Sequence, residues 1–267
     1  MIGSYIDFGI KTDRRSLDVA NFNGILTVFR KYRPSVVIHL AAETDVEICE
    51  NDPLRAYSIN IVGTYNVARA AKIIGAKLIY ISTNDVFDGF KGSPYTEDDE
   101  PNPQNVYGLS KYIGELVVRG LGGDYLIVRT SWVFGGGPER DKKFVAKIIN
   151  QLKDANIKEI KVVSDIYGTI TFGKDLVAAL KEAILNGASG VLHLTNSGVV
   201  SRYDVTQEIM KITRSRKKIV PVGANAFPGD VRLGSNYGLV SKKTKLRPWQ
   251  EALKEYLETE WKNVQVK

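Results

Sequence analysis

Four short runs rich in Val, Ile and Leu, separated by longer stretches with helical spacing, limit what this chain can fold into. The runs are Ser35-Val36-Val37-Ile38-His39-Leu40, Lys77-Leu78-Ile79-Tyr80-Ile81-Ser82, Asp124-Tyr125-Leu126-Ile127-Val128-Arg129 and Val191-Leu192-His193-Leu194. None alternates cleanly between apolar and polar residues, which marks strands covered on both faces. Residues 20–33 carry Ile25, Phe29 and Tyr32 at helical spacing. Residues 53–74 begin at Pro53 and end at Gly75, a first-turn residue and a stop signal. Residues 105–119 put Val106, Leu109, Ile113 and Leu116 on one stripe. Further helical segments cover 140–153, 173–187, 203–214 and 249–258. This alternation predicts an α/β fold with a doubly wound parallel sheet, right-handed crossovers and helices on both faces.

Composition narrows the function classes. At 267 residues and 43% apolar content the chain can bury a core without staples. A single cysteine, Cys49, forms no internal disulfide and fits a reducing, cytoplasmic setting. One Cys and two His, His39 and His193, exclude a Cys/His zinc cluster, and no metal site is expected. No apolar stretch approaches the roughly 18 residues of a membrane span. Residues 1–9 lack the basic and apolar regions of a secretory leader, so none is expected. The net charge of +7 favours anionic ligands such as nucleotides. The basic run Lys211, Arg214, Arg216, Lys217, Lys218 reads as a solvated helix end, without the interleaved aromatics of a nucleic-acid surface. Both histidines read as core residues, and Cys49, in an acidic stretch, reads as structural.

Tyr107 and Lys111 stand four residues apart on a predicted helix, hence on one face. An ammonium near a phenol favours phenolate, and a Tyr so tuned can protonate a carbonyl oxygen as hydride reaches the carbon. The spacing alone is weak evidence. With 13 Tyr and 23 Lys in the chain, about one such pair arises by chance, and one is present. Context adds to it. Ser82 and Thr83 close a predicted buried strand, and ligands of open parallel sheets bind beyond the C-terminal strand ends. A hydroxyl there can bond the same carbonyl oxygen. Ala41 and Ala42, ending the preceding strand, are small enough for a flat cofactor to approach.

Several ordered motifs carry a resemblance. They are residues 33–42, Asn60-Ile61-Val62-Gly63-Thr64, Ser82-Thr83-Asn84-Asp85-Val86-Phe87-Asp88-Gly89, Pro94-Tyr95-Thr96-Glu97 through Pro101, and Tyr107-Gly108-Leu109-Ser110-Lys111 with Glu115. Arg129-Thr130-Ser131-Trp132-Val133-Phe134-Gly135 and residues 246–253 follow. In order and spacing the chain resembles the extended short-chain dehydrogenase/reductase superfamily, and within it the dTDP-4-dehydrorhamnose reductase family, from about residue 15 to residue 258. The resemblance implies reduction of a 4-keto sugar on a thymidine diphosphate carrier, with NADPH or NADH as cofactor. It implies Tyr107 as general acid, with Lys111 holding the cofactor ribose and tuning Tyr107. Thr83 would bind the substrate carbonyl, with Asn84 and Trp132 also on the substrate. Asp18 and Val19 would flank the adenine, and Ala41, Ala42, Thr44 and Ser82 would line the cofactor channel.

The chain departs from the family pattern in three places. Asn84 stands where Asp is usual and Asp85 where Tyr is usual, which puts a charge for an aromatic close to the site. Ile166 and Ile170 replace a Gln and a Pro. The family's first strand and its Gly-x-x-Gly-x-x-Gly turn, which holds pyrophosphate at a helix N-terminus, have no counterpart in the first 40 residues. Gly3, Gly9 and Gly24 are spaced wrongly for it. The sheet is therefore expected to carry a raw edge where that strand would pair.

The expected organisation is a Rossmann-like dinucleotide-binding part, residues 1–134 and 166–196, and a smaller substrate-binding region, residues 135–165 and 197–267. The expected partner is a nucleotide-sugar substrate, with no nucleic acid and no membrane. A homodimer is one option, and the sequence leaves the oligomeric state open. Two alternatives stand beside the reductase. One is a non-catalytic homologue resembling the regulatory subunit of methionine adenosyltransferase. The other is a nucleotide-sugar epimerase or dehydratase.

Overall fold

The computed structural model describes residues 2–227 and 234–262. The expected small region extends over 228–233 and 263–267, and the first part over residue 1; these lie outside the described residues. A parallel sheet of four strands lies at the centre: β1 (Val36–His39), β2 (Lys77–Thr83), β3 (Tyr125–Thr130) and β4 (Gly190–His193), in that spatial order. All four apolar runs of the sequence became these strands.

Both faces of the sheet are covered, so side chains of alternating parity enter two separate cores. On one face lie α1 (Phe22–Tyr32), α2 (Thr64–Ile74) and α3 (Val106–Leu121). Ile25, Phe29, Val67 and Val118 there meet Leu78, Tyr80 and Ile127 of the strands. Helix α4 (Gly173–Leu185) covers the other face, where Leu176 and Leu180 meet Ile79, Ile81, Leu126 and Val128. A third core joins Phe134, Ile149, Ile160 and Val205 to Leu253 and Tyr256 of the helix Trp249–Glu260. A two-stranded parallel pair, Glu159–Val163 with Lys218–Val222, borders this third core. Among the described residues β1 pairs only with β2.

Local chemistry sets the helix ends. The Asn21 side chain caps α1 by accepting from the Gly24 N–H at 2.9 Å, and Asn105 caps α3 through the Gly108 N–H at 2.7 Å. Gly75 takes left-handed dihedrals to end α2. The segment 53–74 is not the single α-helix expected from its periodicity. It runs as a short α-turn (Pro53–Tyr57), a π-helical stretch (Ser58–Gly63) and then α2. Hydrophobic spacing does not reveal such a widening, because the apolar stripe continues on either side of it.

Helix α3 seats unusually close to β2. A Cβ at Gly114 would overlap the Tyr80 hydroxyl, so only glycine admits that ring beneath the helix. One residue further on, the Glu115 carboxylate takes a bidentate pair of bonds from Arg129 of β3, Nε at 2.9 Å and Nη2 at 2.7 Å. Both side chains are essentially inaccessible, 0% and 1% exposed.

Lys211, Arg214, Arg216 and Lys218 of the basic run are exposed, as a solvated helix end requires, and three of the run's cations have partners in the chain. Lys217 donates to the carbonyls of Gln151 and Asp154 at 2.8 and 2.6 Å, Lys218 pairs with Glu159 at 2.6 Å, and Lys211 approaches Glu208 at 3.3 Å. His39 is satisfied as a core residue. Thr64 gives its hydroxyl proton to the Asn60 carbonyl, so the His39 Nε2–H donates to Thr64 Oγ1 at 3.1 Å. His193 is bonded through Nδ1 to the Val240 carbonyl at 3.1 Å, while its Nε2 has no partner among the described residues. Cys49 is buried and free, and burial with the surrounding carboxylates pushes its thiol up to about 11.

Removing one member of a buried ion pair strands the other charge, whereas removing both does not. Glu115→Ala is expected to lower the unfolding free energy by about 3–5 kcal/mol. The double change Glu115→Leu with Arg129→Met should lose much less. Urea denaturation of the two variants beside the parent measures the difference.

Candidate active site

Three strand ends make the floor of a cleft. The loop after β1 carries Ala41, Ala42 and Thr44. The end of β2 carries Ser82, Thr83 and Asn84. Thr130 is the register partner of Thr83, which places Ser131 and Trp132 just past the end of β3. Helix α3 brings Tyr107 and Lys111 over the same end of β2. Its first turn rests on the segment after that strand, since a Cβ at Gly108 would overlap the Asp85 carbonyl. The structure therefore brings Ser82, Thr83 and Asn84 together with the first turns of α3, which carry Tyr107 and Lys111, while Trp132 lies past the neighbouring end of β3 with its ring against Gly168. Asp18 and Val19 stand further along, before α1. The Val19 side chain packs against Gly63, and the Val19 carbonyl accepts from Asn66 Nδ2 at 3.0 Å. Asp18 is exposed and accepts the Ala20 N–H at 2.9 Å.

Lys111 is the most perturbed cation of the site. It is 3% exposed, and its ammonium lies 4.1 Å from the centre of the Tyr80 ring. Burial pulls its pKa down to about 7, and the Glu115 charge one turn along opposes that fall only in part. Glu115 is itself committed to Arg129, which explains why it neutralises Lys111 so little. The same cluster holds His39 neutral. Burial, then the Lys111 charge, drops the imidazole to about 3.

Thr83 is held by its neighbours. Its hydroxyl donates to Asn84 Oδ1 at 3.3 Å and accepts the Asp85 N–H at 3.2 Å. Three buried polar atoms at or just past the ends of β2 and β3 have no partner among the described residues: Ser82 Oγ, Ser131 Oγ and Trp132 Nε1. Buried donors and acceptors are nearly always satisfied, so each of these atoms is open to a polar ligand. Ser82 follows Tyr80 by two residues and so shares its face of β2, the one toward α3. Trp132 holds φ at +36°, a strained value for a tryptophan, and the Arg202 guanidinium lies 5.5 Å from its ring.

Asn60, quoted above only as part of a motif, turns out to clamp the site. Its Oδ1 accepts the Glu43 N–H at 2.8 Å, and its Nδ2 donates to the Glu43 carbonyl at 3.0 Å and to Ser110 Oγ at 2.9 Å. It thereby ties the loop after β1 to the helix that carries Tyr107. The π-helical stretch delivers it there, and no periodicity in the sequence signals that. Glu115 and Arg129 were likewise visible only as motif letters, with nothing to show that they pair.

The depressed pKa of Lys111 has a stability signature. The unfolded chain binds this proton up to about pH 10.5, the folded protein only up to about 7. Between these values the unfolded state carries more protons, so stability gains with rising pH. Lys111→Met removes the effect. The variant is expected to exceed the parent in stability most below pH 7, and the gap should close as pH rises toward about 10. Denaturant titrations across that range check it.

The RmlD substrate binding domain model matches residues 8–261. The spore coat polysaccharide biosynthesis protein SpsK of Bacillus subtilis is 35% identical over 256 residues, covering 93% of this chain and 88% of that protein. The dTDP-4-dehydrorhamnose reductase of Mycolicibacterium smegmatis is 37% identical over 82% of this chain and 69% of its own length. Among solved structures, a dTDP-4-dehydrorhamnose reductase from Bacillus anthracis in complex with NADP superposes with a TM-score of 0.87 at 32% identity, covering 92% of this chain and 88% of that one. The chain belongs to the RmlD substrate-binding-domain family, that of the dTDP-4-dehydrorhamnose reductases.

Proposed function

We propose that this protein reduces the 4-keto group of a thymidine diphosphate sugar with a nicotinamide dinucleotide, as a dTDP-4-dehydrorhamnose reductase. One observation carries the reading. A hydroxyl (Thr83), a phenol (Tyr107) and a buried, burial-weakened ammonium (Lys111) share one strand mouth, in a chain whose relatives bear that name. The donor set there fits the nicotinamide and ribose end of a dinucleotide. Among the described residues Ser82 Oγ is buried and without a partner on the face toward α3, and Lys111 brings a cation to the same face. Ser82, Tyr107 and Lys111 would hold that end, with Ala41, Ala42 and Thr44 along the channel and Asp18 and Val19 toward the adenine. When bound, the reduced nicotinamide supplies hydride. NADPH is the first cofactor to test, given the relative solved with NADP.

The chain's own residues do the rest. Thr83 offers its hydroxyl to the substrate carbonyl oxygen and fixes its position. Tyr107 gives that oxygen its proton as negative charge develops there. The Lys111 ammonium lowers the cost of leaving Tyr107 as phenolate. Trp132, held in a strained backbone conformation, presents its indole to the sugar, and Asn84 borders the same space. The region 135–165 and 197–267 serves as the substrate-binding part beside the dinucleotide-binding part, 1–134 and 166–196. No helix among the described residues is long and apolar enough to cross a membrane. We place the enzyme in the cytoplasm, where its single free cysteine stays reduced, and take a homodimer as the assembly to look for.

With NADPH and the 4-keto sugar nucleotide, Tyr107→Phe is expected to slow cofactor oxidation about 100- to 10,000-fold. Binding of the thymidine diphosphate sugar should be unchanged by calorimetry. Equal rates in variant and parent would overturn the assignment of the proton donor.

A further inference from the structure

The Asn84 side chain is turned to Tyr237, 153 residues along the chain. Its Nδ2 donates to the Tyr237 carbonyl at 3.2 Å, while its Oδ1 accepts from Thr83 at 3.3 Å. All three residues are buried, Asn84 at 2% exposure and Tyr237 at 1%. The segment 235–240 is also held by Gly89, whose carbonyl accepts the Ser235 and Asn236 N–H groups at 3.0 Å, by Tyr167, by Tyr95, whose N–H donates to the Gly238 carbonyl at 2.8 Å, and by the Leu239 N–H on Thr169 Oγ1 at 3.4 Å. The Asn84 amide connects this segment to the proton of the Thr83 hydroxyl.

We propose that Asn84 is a positioning residue that couples the seating of segment 235–240 to the orientation of the Thr83 hydroxyl. The proposal rests on the reductase reading for its catalytic half only; the tie itself is independent of it. The chemistry requires an amide at this position. An amide has both a donor and an acceptor, so it can serve the Tyr237 carbonyl and the Thr83 hydroxyl at once. A carboxylate has only acceptors. It would face the Tyr237 carbonyl with a lone pair and hold the Thr83 proton more tightly, since charge-assisted bonds are the stronger kind. The Asp usual in the family at this place could not make the same link. With the amide, the Thr83 proton rests on a weak acceptor at a long distance and is easily surrendered to a substrate oxygen. With 235–240 seated, the Tyr237 carbonyl holds the amide with its oxygen toward Thr83; without that acceptor the amide would be free to turn and the hydroxyl would lose its guide.

The test is Asn84→Asp, which keeps size and shape. Hydrogen exchange followed by mass spectrometry is expected to show the amides of 235–240 exchanging about tenfold or more faster, as a buried acceptor loses its donor, with β2 unchanged. Acidification should reverse the effect as the carboxyl regains a hydrogen to donate. In turnover of the 4-keto sugar nucleotide the variant should lose about tenfold or more in kcat, the loss expected when a charge-assisted bond retains the proton. That loss should vanish in a Thr83→Ala background. Exchange at 235–240 within twofold of the parent would overturn the tie, and an equal loss with or without Thr83 would overturn the coupling. A parent chain without turnover would fail the reductase reading instead, and the exchange measurement would still decide the tie.

Discussion

The site depends on how closely α3 can sit against β2 and β3. Four residues of this helix govern that distance. Gly108 lets the backbone rest on the Asp85 carbonyl, and Gly114 admits the Tyr80 ring. Lys111 lies on that ring, and Glu115 grips Arg129. Spaced three, three and one residues apart, they form one stripe along the helix, and a stripe has only one way to dock. Tyr107 lies one residue before the stripe, so its position over the strand mouth follows from the docking. The chemistry of the cleft is therefore set by packing outside it.

The same docking accounts for the electrostatics. An ammonium buried on an aromatic face is expensive to keep charged, and the obvious counter-ion, Glu115, is shared with a guanidinium. The pair contributes almost no net charge, leaving Lys111 close to the point where it gives up its proton. In the proposed function a dinucleotide would bring hydroxyl acceptors to such a group, and its binding would favour the charged form. The fold presents a cation held ready by its surroundings rather than one held fast by a partner.

Much of this was legible in the sequence, for physical reasons. Strands buried on both faces must be Val- and Ile-rich, so all four could be read, and a stop signal such as Gly75 has a chemistry of its own. Strand ends and helix spacing could place Thr83, Tyr107 and Lys111 near one another, while the roles proposed for them rest on the family resemblance. The remainder depends on contacts between distant parts of the chain. Asn60 reaches Glu43 and Ser110, Arg129 reaches Glu115, and Asn84 reaches Tyr237. Nothing local in these residues announces their partners. Short strand pairs such as Glu159–Val163 with Lys218–Val222 escaped for the same reason.

The π-helical stretch Ser58–Gly63 has a consequence for the lineage of this chain. A π-turn holds one more residue than an α-turn, and its ends still fit a helix on either side. Loss of one residue there would restore regular winding at little local penalty. Because the wide turn already absorbs its extra residue, the segments on either side would keep their faces, and Ala56 would stay in its buried seat. What would go is the local widening that carries Asn60 to Glu43 and Ser110. A chain one residue shorter between 53 and 74 would therefore keep the packing of its helices and lose the clamp on the loop after β1.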